Sequence, residues 1–81
     1  MSRNRKSAYL IKDYTTEEFA ELIDLYVFSE RDRQMLKRFL IDDKTYAHIA
    51  EEFNYSLRHT QRIICNAENE LFKRLKRDNR L

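Results

Sequence analysis

The chain has 81 residues, 42% hydrophobic and 37% charged, with a formal net charge of +2 and neither glycine nor proline. That length fits one domain near the small end for a self-sufficient core, and no apolar run approaches the roughly 18 residues that a membrane span needs. A single cysteine excludes an internal disulfide and fits a reducing cytoplasm, and the basic N-terminus lacks the apolar stretch of a signal peptide.

Charge is spread unevenly. Residues 1–12 carry four bases (Arg3, Arg5, Lys6, Lys12) and no acid. Residues 13–32 carry seven acids against Arg31 alone, and residues 56–81 carry seven bases against three acids. A basic–acidic–basic chain predicts one surface for nucleic acid and another turned away from it, or toward a basic protein patch. Residues 1–14 read as a basic N-terminal arm and residues 15–81 as the folded domain. The arm is either a solvated tail or a set of phosphate contacts through Arg3, Arg5 and Lys6. Tyr9, Leu10 and Ile11 would fold back onto the helices or meet another chain.

Tight β-hairpins favour glycine, and every periodic segment here is helical, so the expected class is all-α with four helices. Thr15 and Glu18 form a capping-box signal for a first helix over about Thr16 to Val27. Phe19, Leu22, Ile23 and Tyr26 make its apolar stripe. Its acids would repel DNA, which makes it a support or a docking face for a protein. Ser29 caps a second helix to about Ile41, striped by Met35, Leu36, Phe39 and Leu40. Arg33, Lys37 and Arg38 on its polar side are either phosphate contacts or plain solubilising charge. Asp42, Asp43 and Lys44 form a polar turn.

Thr45 caps a third, short helix with Tyr46, Ile49, Ala50 and Phe53 at the spacing of one buried face. Asn54 tolerates the left-handed backbone that ends such a helix. Ser56 caps a fourth helix from Leu57 to about Arg77. Helix, short turn, helix is the layout of a helix-turn-helix. At about 100° per residue, Thr60, Ile64, Ala67, Leu71 and Leu75 share one sector of the fourth helix, with Ile63 at its edge. Arg58, Gln61, Arg62, Cys65 and Asn69 share the opposite sector, flanked by His59 and Asn66. Arg58, Gln61 and Arg62 open the helix where a recognition helix meets the major groove, and such side chains suit base edges and phosphates. The plainer reading is a solvated face, which any exposed helix has. Leu71, Phe72 and Leu75 would pack back on the first helix or form the seam of a homodimer. Lys73, Arg74, Lys76, Arg77 and Arg80 make a second basic patch, and some of them suit the helix dipole.

At these residues the sequence resembles the promoter-binding helix-turn-helix of bacterial sigma factors, region 4. The resemblance spans about residues 29 to 75. Its elements are Glu30-Arg31-Asp32-Arg33, Thr45-Tyr46, Ile49-Ala50-Glu51-Glu52, the cap Ser56, and Ala67 with Leu71. The Asn-Tyr-Ser turn with Arg58 and the Gln61-Arg62-Ile63 run is most similar to small phage-encoded, sigma-like regulators of late genes. The resemblance implies a sequence-specific DNA-binding transcriptional regulator of phage or mobile-element origin. The expected DNA-binding set is Ser56 as the cap, Arg58, Gln61 and Arg62 as the readers, and His59, Cys65 and Asn66 at the periphery, and the resemblance implies a contact with RNA polymerase through the preceding helices. Three departures stand out. Asn54 replaces the usual glycine, Thr60 replaces an apolar valine, and the upstream domains of a housekeeping sigma factor are absent.

Chemistry for catalysis is missing from the pattern. Cys65 is alone, His48 and His59 lie on different helices, and no spacing suits a zinc site. Cys65 and His59 do not face each other as a nucleophile and base would. The expectation is therefore no cofactor, no metal and no enzymatic activity. The alternative from another class is a protein-interaction module, an inhibitor or adaptor of RNA polymerase or another enzyme, built on the same fold. Its support is the acidic first helix and the low net charge.

Overall fold

A computed structural model describes residues 14–80. Four helices follow in chain order: α1 (Thr16–Tyr26), α2 (Glu30–Leu40), α3 (Tyr46–Phe53) and α4 (Leu57–Arg77). The described residues are all-α. The basic arm expected over residues 1–14, and with it Arg3, Arg5, Lys6 and Tyr9 to Ile11, lies outside them up to residue 13.

Every helix starts on a hydroxyl cap, because the first backbone N–H groups have no partner inside the helix. Thr15 Oγ1 accepts from the Glu18 N–H at 3.1 Å while Glu18 Oε1 accepts from the Thr15 N–H at 2.9 Å, the reciprocal box expected there. Ser29 accepts from Asp32, Thr45 from His48 and Ser56 from His59. The first two helices end one residue earlier than their periodicity suggests, at Tyr26 and Leu40.

The turn between α3 and α4 is closed without glycine. Asn54 takes the left-handed backbone, φ 62° and ψ 42°. That geometry lets the Tyr55 N–H donate to the Ala50 carbonyl at 2.9 Å and the Asn54 N–H to Glu51 at 3.3 Å. Two orphan carbonyls of α3 are thereby satisfied. Asn79 repeats the device after α4, with φ 59° and with Arg80 donating to Leu75 at 2.8 Å.

α4 is the shared wall of the core and packs against all three other helices. Its buried side is Thr60, Ile63, Ile64, Ala67, Leu71 and Leu75, the sector expected from periodicity, with Phe72 beside it. Phe19 and Ile23 of α1, Met35 and Leu36 of α2 and Ile49 of α3 are fully buried in the same cluster. This packing decides between the two readings of Leu71, Phe72 and Leu75. All three lie inside their own chain's core, so they have no surface left to offer as a homodimer seam.

The C-terminal end of α4 is tied to α1. The Tyr26 hydroxyl donates to Asp78 Oδ2 at 2.5 Å, and Arg74 Nη1 donates to the Tyr26 carbonyl at 2.6 Å. The Arg74 guanidinium also lies 4.6 Å from the ring centroid of Phe28. The Tyr14 hydroxyl reaches the Arg80 carbonyl at 2.6 Å. Among the described residues, no helix is long and apolar enough to cross a membrane.

Candidate nucleic-acid interface

The first turns of α4 are held from three sides. Ser56 caps them, the Asn54 turn fixes their direction, and Thr60, Ile63 and Ile64 root them in the core. The residues between those roots must then face out. Arg58, His59, Gln61, Arg62, Cys65 and Asn66 are all exposed. No described residue hydrogen-bonds or ion-pairs with the side chains of Arg58, Gln61, Arg62 or Asn66.

His59 is less free. Its ring stacks on Tyr55 with centroids 5.0 Å apart and planes 17° from parallel. The guanidinium of Arg31 in turn sits 5.8 Å from the Tyr55 centroid. An Arg–Tyr–His column thus runs from the start of α2 to the first turn of α4. The sequence names Arg31 and Tyr55 only as parts of separate motifs, because a stack between residues 24 apart leaves no periodic trace. Cys65 Sγ lies 3.8 Å from the Tyr46 hydroxyl, linking α3 to α4 at the same surface.

The three α2 bases named with this site are placed differently. Arg33 donates through Nε to the Val27 carbonyl and pairs with Glu30 at 3.1 Å. Lys37 Nζ is 2.8 Å from Asp24 of α1. Arg38 meets Glu52 of α3 at 2.7 Å and the Gln34 carbonyl and side chain at 3.1 Å, over the Phe53 ring. Each brace holds α2 to its neighbours or to its own start, so a phosphate would have to displace an internal partner first. The structure brings Arg58, Gln61, Arg62 and Asn66 together on one open surface and leaves Arg33, Lys37 and Arg38 as struts.

Two other surfaces are distinct. A hollow of about 590 Å³ between α1, α2 and α3 is lined by Lys37, Arg38, Lys44 and His48 but also by Glu17, Asp42 and Glu52, a mixture that selects no ligand charge. α1 exposes Glu17, Glu18, Glu21 and Asp24, next to Leu25 at 59% and Phe28 at 72% exposure. α1 packs on α4, with Tyr26 tied to the C-terminal end of that helix rather than to the turns that carry Arg58 and Arg62. Glu68, buried on α4, was not anticipated, since by angle it falls at the edge of the apolar sector. Comparison of the chain with protein-family models, curated proteins and solved structures gives no match.

Proposed function

We propose that this protein is a sequence-specific, double-stranded-DNA-binding transcriptional regulator whose α3, turn and α4 act as a helix-turn-helix. One observation carries the reading. Arg58, Gln61 and Arg62 stand exposed, with no partner among the described residues, on the first two turns of a helix whose other side is locked in the core. A rigid helix with free donors at its leading end is what the major groove accommodates. Arg58 or Arg62 would hold guanine O6 and N7 bidentately, and Gln61 an adenine edge, with about 1–3 kcal/mol of discrimination for each good pair. The first turn of α4 also presents the positive end of its dipole toward phosphate. No catalytic role is proposed. The resemblance to sigma region 4 and to phage late-gene regulators supports a place in cytoplasmic transcription, beside RNA polymerase.

A second reading has its own observation. Leu25 and Phe28, exposed beside the α1 acids, favour an adaptor that docks a basic, apolar protein surface. Reversing Glu17 and Glu21 to lysine separates the two. An adaptor loses its activity, whereas a DNA reader keeps or gains DNA affinity. Selection from a random pool of short duplexes tests the first reading. The wild type should enrich one sequence, and Arg58→Ala with Arg62→Ala should lose that enrichment. Absence of wild-type binding at low salt would contradict it.

A further inference from the structure

α4 carries more open charge than its first turns use. On a helix of about 100° per residue, Arg58, Arg62, Cys65, Asn69, Lys73 and Lys76 fall within an arc of about 80°. All six are exposed. No acid shares the arc. Glu68 is buried on the core side, the half-buried Glu70 lies about 60° beyond Lys73, and Asp78 is bonded to the Tyr26 hydroxyl. The stripe is cationic at both ends and neutral in the middle.

The C-terminal bases divide by their partners. Arg74 is spent on the Tyr26 carbonyl and the Phe28 ring, and Arg77 pairs with Asp78 at 3.4 Å. Lys73 and Lys76 have no partner among the described residues. The helix dipole accounts for bases in the last turn, but its influence fades within that turn, and Lys73 lies before it. Lys73 is eleven residues beyond Arg62, about 16 Å at the rise of an α-helix. The major groove is about 12 Å wide. With Arg58 and Arg62 at its base edges, Lys73 and Lys76 lie beyond the groove, over its phosphate wall.

We infer that α4 meets duplex DNA along its whole length, with Lys73 and Lys76 forming a second, sequence-independent grip on the phosphate backbone. The inference rests on the DNA-binding reading above and divides α4 into a reading end and a holding end. The holding end adds affinity and salt dependence without adding preference, since phosphates carry no sequence information.

The experiment measures equilibrium binding across a salt series. It uses the full chain, the duplex enriched by the wild type and a scrambled duplex. Each phosphate contact contributes about 0.9 to the slope of log K against log salt, so Lys73→Gln with Lys76→Gln should lower the slope by about 1.8. The ratio of affinities for the two duplexes should stay unchanged, and Lys73→Arg with Lys76→Arg should restore the slope. Both side chains are exposed, and circular dichroism checks that the variants stay folded. An unchanged slope, with preference still lost in Arg58→Ala/Arg62→Ala, overturns the holding end and leaves the DNA-binding reading standing. A changed preference in the glutamine variant also overturns it, because the contact would then be to bases. Failure of the wild type to bind any duplex at low salt removes both.

Discussion

Thr60 is fully buried in the apolar sector of α4, and its Oγ1 has no hydrogen-bond partner among the described residues. Valine has almost the same shape and the same branching at Cβ, so Thr60→Val leaves helix propensity and packing nearly unchanged. It removes a buried hydroxyl whose lack of a partner costs about 1–3 kcal/mol. The swap of threonine for valine is ordinarily unfavourable when the hydroxyl is bonded; here the sign reverses. A gain of about 1 kcal/mol corresponds to a rise in Tm of roughly 4–8 °C for a domain of this size. Thermal and urea unfolding followed by circular dichroism would measure it, with an unchanged m-value showing that only stability moved. Because Thr60 has no surface, the variant should bind the same duplex equally well. A Tm equal to or below the wild type's would refute the reasoning and mean that the hydroxyl is satisfied in solution.

The remaining predictions concern caps, braces and pH. Ser56→Ala should destabilise the fold by about 1 kcal/mol through loss of the α4 cap, read as a lower urea midpoint, with Ser56→Asp restoring it. Asp24 and Lys37 are a partly exposed pair, so a double-mutant cycle should return less than about 1 kcal/mol; a larger coupling would mean the pair is shielded from solvent. The bond from the Tyr26 hydroxyl holds the Asp78 carboxyl below its ordinary range, and the same bond, followed by burial, raises Tyr26 above the usual phenol value. Asp78 therefore contributes stability above the ordinary carboxylate pKa that is lost as pH falls through its depressed value. Tyr26 contributes stability below the ordinary phenol pKa that is lost as pH rises through its raised value. Tyr26→Phe should flatten both flanks of a plot of Tm against pH, and an unchanged profile would count against the bond.

Much of the fold was legible because it is written in short-range rules. Periodicity marked the buried sector of α4, and hydroxyl residues marked the start of every helix. Asn54 announced its left-handed backbone by composition alone, in a chain with no glycine. Long-range pairing was not legible in this way. The column of Arg31, Tyr55 and His59, the bond of Tyr26 to Asp78 and the seat of Phe28 under Arg74 each join segments far apart in sequence. The same limit blurred the bases of α2. A helical wheel shows that Arg33, Lys37 and Arg38 face outward, but not that Val27, Asp24 and Glu52 wait there to engage them. Arg58, Gln61 and Arg62 of α4 escaped that ambiguity because no described side chain engages them, although Tyr55 and Tyr46 reach their neighbours His59 and Cys65.

The central claim is that Arg58 and Arg62 read sequence from the leading turns of α4. The ratio of affinities for the selected duplex and a scrambled one, in the wild type and in Arg58→Ala/Arg62→Ala, tests it most directly. The lost bidentate contact of about 1–3 kcal/mol predicts that the ratio falls by roughly 5-fold or more while the variant stays folded. A ratio unchanged in the variant would contradict the account and move the reading of sequence to another surface.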